Sequence, residues 1–200
     1  MANTSSLMGL APKKYLSGAS WSGQATLYYI PSANGSAFAI GDPVAMGAAG
    51  DANGVPGIVL ATAGTGNPVL GAIVSAGSVV AGGFMADPTN LNTTVIPAAK
   101  TKDYYVLVAD DPNIIFEIQE GGAGAALTAS DIGNNFNLIS GVNSGYLSGW
   151  ALDNGSAATT ATLQLKLLGL VRRRDNAYGT YAKWLVKINN HYFAAGTAGV

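Results

Sequence analysis

Cysteine is absent from this 200-residue chain, and histidine occurs once, at His191. With no thiol, neither a disulfide framework nor a thiolate zinc site can form. Charge is nearly as scarce. Asp, Glu, Lys and Arg make up 10% of the residues, against roughly 25% in ordinary globular domains. The polar surface must come mostly from Ser, Thr, Asn and the backbone. A surface so poor in charge repels its neighbours weakly, which favours a component of an assembly over a dispersed monomer.

Long helical patterning is missing too. Glycine (27 residues) or one of the eight prolines interrupts nearly every ten-residue window, so no long amphipathic helix is expected. Residues 52–86 carry no charge, yet eight glycines with Pro56 and Pro68 would break a spanning helix there. No membrane segment is expected. The N-terminal residues lack a basic stretch followed by a long apolar run, so no signal peptide is expected either.

What the chain has is period-2 alternation of β-branched, aromatic and aliphatic residues. "ATLYYIP" places Leu27 and Tyr29 on one strand face. "SAFAIGDPVAM" predicts a strand through Phe38 and Ile40, a turn at Gly41, Asp42 and Pro43, and a second strand from Val44. "PGIVLATAG" and "PVLGAIVSAG" read as two arms of a hairpin around "GTGN". In "YYVLVADDPNIIFEIQE" one strand ends at Val108, and Ile114, Phe116 and Ile118 then alternate with Ile115, Glu117 and Gln119. Thr128 with Asp131 three residues on resembles a capping box, and Gly133 would end that helix within about one turn. Near the end, Leu163, Leu165 and Leu167 share a face, as do Trp184, Val186 and Ile188; Gln164 and Lys183 fall on the opposite faces.

Many short strands with turn signals roughly every 8–12 residues predict an all-β fold, a short-stranded barrel or sandwich with at most one or two short helices. Composition divides the chain into an extended N-terminal arm (1–25), a Gly/Ala-rich barrel-like part (26–103) and a C-terminal sandwich or barrel part (104–200).

Motifs for chemistry are weak. His191 lies in a strand-like segment, and no G-x-S-x-G elbow accompanies it. Asp110 and Asp111 are adjacent carboxylates, but Pro112 and Asn113 after them mark a strand-joining turn. "GDANG" lacks the remainder of a calcium loop and reads as a hairpin turn, while "GTGNPVLG" lacks the lysine and helix of a phosphate cradle. No catalytic residue, cofactor or metal is expected.

Cations and aromatics gather instead at the C-terminal end. The net charge of −1 hides +2 up to Lys14, −8 across residues 42–153 and +5 across residues 166–187. Arg172, Arg173 and Arg174 with Tyr178, Tyr181 and Trp184 would suit a nucleic-acid backbone and bases. The sequence pI of about 5.6 and the short span of the basic residues disfavour that partner. Arginine is also enriched at protein interfaces, where its planar fork pairs with carboxylates. A protein contact is expected there, formed by Arg172, Arg173, Arg174 and Tyr178, with Lys13, Lys14, Tyr15 and Trp21 of the N-terminal arm.

"GDPVAM" followed by "GIVLATAGTGNPVLGAIVSAG" is similar to the small glycine-rich barrel segments of the head decoration, or cement, proteins of tailed bacteriophages. "VLVADDPNIIFEIQE", "ASDIGNNFNL" and "ATLQLKLLGLVRRRDNAYG" with "KWLVKINNHYF" resemble the C-terminal halves of phage virion proteins. The resemblance implies a non-enzymatic protein on the capsid exterior, made in the host bacterial cytoplasm. Its partners would be the major capsid protein and itself, as a homotrimer or other homo-oligomer. The alternative is a tail or fibre-associated β module that binds a host receptor or glycan.

Overall fold

The computed structural model describes residues 3–47, 49–78 and 95–200. It is all-β. Among these residues the helical content is a single 3-10 turn, Ala129–Asp131, and the capping pattern holds there: the Asp131 carboxylate accepts the Thr128 N–H at 2.7 Å and the Thr128 hydroxyl at 2.9 Å. The uncharged run of residues 52–86 is described up to residue 78. No helix in the described residues is long and apolar enough to cross a membrane.

Two main sheets carry the chain. The seven-stranded sheet contains β1 (Ala11–Tyr15), β9 (Ile114–Gly121), β10 (Asn135–Phe136), β11 (Leu138–Ile139), β12 (Ala151–Asp153), β13 (Leu165–Leu170) and β14 (Lys183–Ile188). Its order is β10-β13-β14-β9-β12-β11, with β1 antiparallel to the first half of β9. The five-stranded sheet takes β2 (Thr26–Ile30), β8 (Tyr104–Ala109), β6 (Gly71–Ser78), β4 (Pro43–Met46) and β5 (Ile58–Leu60), in that order. A parallel bridge from Tyr29 to Gly57 joins its outer strands, so this sheet is a nearly closed barrel. A short ribbon of β3 (Phe38–Ala39) and β7 (Val95–Ile96) is the remaining sheet among the described residues.

Alternation decides which residues fill each core. Ile114, Phe116 and Ile118 of β9 meet Leu165, Leu167, Trp184, Val186 and Ile188 in one cluster; Tyr28, Ile30, Val44, Ile73, Val106 and Val108 fill the barrel. Each fully buried aliphatic or Phe side chain contributes roughly 1.5–3 kcal/mol. The chain changes sheet at residues 110–113. There the Asp111 carboxylate accepts the Asn113 N–H at 2.7 Å, and Asp110 accepts the hydroxyls of Thr26 at 3.0 Å and Tyr28 at 2.7 Å. The strand at 104–109 thus pairs within the barrel, and the change of sheet follows it.

The expected hairpin around "GTGN" does not form. β5 and β6 both pair with β4, which lies between them. The connecting residues instead reach across to the other sheet, where Gly66 N–H donates to Thr162 O at 3.0 Å and Val69 N–H to Asn190 O at 2.9 Å. Gln164, placed on a polar face by alternation, is fully buried at this crossing. Its Oε1 accepts the N–H groups of Gly64 and Leu138, both at 3.0 Å, and its Nε2 donates to Thr62 O at 2.8 Å and Asn67 O at 3.1 Å. One amide side chain therefore ties barrel to sheet.

A second seam lies at Gly9 and Gly41. Leu10 N–H donates to Gly41 O at 2.9 Å, and Ser148 N–H to Ile40 O at 3.0 Å. Asp42 beside them is fully buried, accepting the Ala39 N–H at 2.8 Å and the Asn143 amide at 3.4 Å.

Candidate interaction surface

The N-terminal residues are extended, and they lie on this chain's own sheet. Leu10 is fully buried, and β1 covers the edge of β9. Polar contacts hold the residues before it. Ser6 N–H donates to Gln119 Oε1 at 2.6 Å, and the Lys183 ammonium reaches Thr4 O at 3.5 Å. This cover explains why Lys183 is buried although alternation directs it outward.

Glu117 is the point where arm and arginine loop meet. It is 1% exposed in the middle of β9, and its carboxylate takes Lys13 Nζ at 3.1 Å and Arg173 at 2.7 Å. Arg173 also pairs with Asp175 at 3.2 Å. The acidic middle of the sequence does engage its basic end, within one molecule. Arg172 and Arg174 are exposed and make no ion pair among the described residues. Lys14 is exposed likewise. Tyr15 donates its hydroxyl to Gln24 Oε1 at 3.1 Å, and the Trp21 indole donates to Gln24 O at 3.0 Å. Trp21 also lines an apolar cavity of about 250 Å³ with Met8, Leu10, Ile40, Ile73 and Leu147.

Two asparagines give the arginine loop its shape. Asn176, buried, donates to Val171 O at 2.8 Å and Lys183 O at 2.9 Å and accepts the Lys183 N–H at 2.8 Å. Asn3 grips the far side, donating to Ala177 O at 2.8 Å and Thr180 O at 3.1 Å while accepting the Ala177 N–H at 2.9 Å. Neither role had a signal in the sequence beyond asparagine's general affinity for turns. Between these clamps Tyr178 is 52% exposed with its ring 5.8 Å from that of buried Trp184, and Tyr181 is 44% exposed. Tyr181 adopts φ +65°, a left-handed conformation that costs a bulky residue about 1–2 kcal/mol. The loop therefore presents two arginines and two tyrosines from a fixed backbone.

The carboxylate at Glu117 gives a test of sign. Removing both cations in Lys13→Ala/Arg173→Ala leaves a buried anion alone, and we expect a loss of about 2 kcal/mol. Glu117→Gln leaves only part-exposed cations that water can solvate, and about 1 kcal/mol or less should be lost. Urea midpoints followed by tryptophan fluorescence check the order; a larger loss in Glu117→Gln would contradict this account of the contact.

The candidates for chemistry are engaged structurally. His191 is buried where the barrel meets the sheet, and its Nδ1 accepts the Phe193 N–H at 2.9 Å. Burial pulls its pKa down, against the opposing fields of Asp110 and Asp111. Asp110 and Asp111 form the turn described above, and Asp51 of "GDANG" accepts the N–H groups of Asn53 at 2.9 Å and Val55 at 2.8 Å. Among the described residues no three His, Asp or Glu side chains converge as a metal-binding set.

Two buried acids make stability depend on pH. Glu120 accepts the Trp184 indole N–H at 2.9 Å and the Leu127 N–H at 3.2 Å on one oxygen. Burial nevertheless pushes its carboxyl up, as it does that of Asp42. An acid with a raised folded pKa binds its proton more tightly in the folded state, so its ionisation penalty disappears as pH falls through that pKa. Asp51 and Asp103 act oppositely. Hydrogen bonds, chiefly from Tyr105 and from the Ser32 N–H respectively, hold them below the usual range, and their stabilisation is lost only as pH falls through those lower values. His191, favoured neutral, loses stability below its ordinary value. Glu120→Gln isolates one contribution: its stability advantage over the parent chain should shrink from about pH 7 to about pH 4. A constant difference across that window would contradict the assignment.

No protein-family model, curated protein or solved structure matches the chain.

Proposed function

We propose that this chain is a structural, non-enzymatic protein of a phage particle, which binds the outer surface of the capsid and stabilises contacts between major capsid protein subunits. The resemblance of its strand and arginine segments to decoration proteins supports the reading. So do the all-β fold and the scarcity of charge. The observation that carries it is the fixed loop of residues 171–183, where Arg172 and Arg174, without an ion pair among the described residues, stand beside exposed Tyr178 and Tyr181. Arginine and tyrosine are the residues that dominate binding energy at protein contacts. A loop clamped by Asn3 and Asn176 loses little conformational freedom when it binds. Its function is to bury surface against a neighbouring subunit of the shell, with no bond made or broken.

Co-sedimentation with capsid shells stripped of this chain tests the reading. The parent chain should saturate the shells, and Arg172→Glu/Arg174→Glu should need at least about tenfold more protein for the same occupancy, which corresponds to about 1.4 kcal/mol. Circular dichroism of the variant should be unchanged. Shells that take up neither protein, or both equally, would contradict the proposal.

A further inference from the structure

A second surface has the opposite character to the arginine loop. On the outside of the barrel Leu27 and Tyr29 of β2 lie directly across from Leu107 and Tyr105 of β8. Leu107 is 38% exposed, and Val59 on neighbouring β5 is 40% exposed. The Tyr29 and Tyr105 rings stand 5.6 Å apart and tilted. Two carboxylates border this face. Asp51 accepts the Tyr105 hydroxyl, and Asp103, which accepts the Ser32 N–H at 2.7 Å, also engages the Tyr29 hydroxyl. Neither has a cationic partner among the described residues, since the ion pairs there run to Glu117 and Asp175. Lys102 is the exposed cation next to Asp103 in the chain.

Each surface thus holds two tyrosines and two charges that have no ion-pair partner among the described residues, with opposite signs. We propose that the arginine loop of one copy docks on the Leu27, Tyr29, Tyr105 and Leu107 face of a second copy, with Arg172 and Arg174 meeting Asp51 and Asp103. This inference rests on reading the loop as a protein-contact surface and names its partner. The two surfaces are different patches of one chain, so copies join either reciprocally about a two-fold axis or head-to-tail in a ring or chain, and each copy uses both surfaces. Complementary charge selects this docking over loop against loop, where the arginines would repel. The tyrosines and leucines supply the apolar area.

A contact between unlike surfaces has a distinctive test, done with the purified chain alone. Arg172→Glu/Arg174→Glu removes the loop and keeps the barrel face; Leu107→Arg sets a cation in the barrel face and keeps the loop. All three substituted positions are exposed. In sedimentation velocity the parent chain should associate as its concentration rises, and less so as salt is raised. Each variant alone should need at least about tenfold higher concentration to do the same. Mixed, the two variants should form a 1:1 dimer and stop there, because only one intact pair of surfaces remains. The inference is overturned if the parent chain stays monomeric, if either variant associates like the parent, or if the folded variants do not combine. It is also overturned if the barrel face binds a glycan while Leu107→Arg leaves association unchanged. No capsid protein is present, so a negative result here with retained shell binding would refute the self-contact and leave the capsid reading standing.

Discussion

Gly41→Ala is expected to destabilise the chain by about 5 kcal/mol, about a third or more of the stability of a typical domain. Gly41 sits at φ +90°, and a Cβ there would lie 2.1 Å from the carbonyl oxygen of Met8 and 3.3 Å from the Ser148 Cβ. Backbone cannot yield as the end of a flexible side chain can. Gly41 is also fixed by its own bonds, donating to Ile73 O at 2.8 Å while its carbonyl takes the Leu10 N–H. Relief of the clash would separate the N-terminal segment from the barrel and draw Leu10 out of the core. Gly18→Ala provides the control. Gly18 has almost the same φ, +91°, with open space where its Cβ would go, so only the left-handed penalty of about 1–2 kcal/mol applies. Equal losses in the two variants would show that crowding at the crossing is not what holds it.

The second large effect is at Gln164. Gln164→Leu keeps approximate volume and removes four hydrogen bonds at once, leaving the Gly64 and Leu138 N–H groups and the Thr62 and Asn67 carbonyls without their partner. Leu138 N–H is buried and has no ready access to water. At about 1–3 kcal/mol for a buried group left unsatisfied, and less for those that water reaches, the loss should be about 4 kcal/mol. Gln164→Glu should be damaging as well, because a carboxylate cannot donate to two carbonyls. Hydrogen exchange gives the local readout: the Gly64 and Leu138 amides should lose protection in the leucine variant, whereas the glutamate variant keeps an acceptor for both and loses only the bonds to Thr62 O and Asn67 O. A leucine variant as stable as the parent would mean that the amide is incidental to the joint between barrel and sheet.

Local patterning made the strands legible. Ile114, Phe116 and Ile118, then Leu163, Leu165 and Leu167, then Trp184, Val186 and Ile188 all point into the core as their alternation requires. The capping pair Thr128 and Asp131 and the turn at Asp111 to Asn113 were equally readable, because their partners lie within three residues. Pairing was not. Residues 64–67 read as a hairpin connection, and they leave the barrel because Gln164, about a hundred positions later, holds Gly64 and the flanking carbonyls of Thr62 and Asn67. Gln164 and Lys183 each sit at a polar phase of their strand, yet distant segments fold over them. Among three adjacent arginines, only the position of Glu117 singles out Arg173 as the tied one and leaves its neighbours exposed. The candidate surface was therefore visible as composition, and its division into held and free cations was not.

The claim beneath this reading is that many copies of the chain coat a shell. Cryo-electron microscopy of the intact particle, with the chain identified in the density by the shape of the barrel and the arginine loop, measures that directly. Copies repeating across the whole capsid lattice, outside the major capsid protein and bridging its subunits, are the predicted result. A few copies confined to one vertex or to the tail, or a particle that lacks the chain, would contradict it.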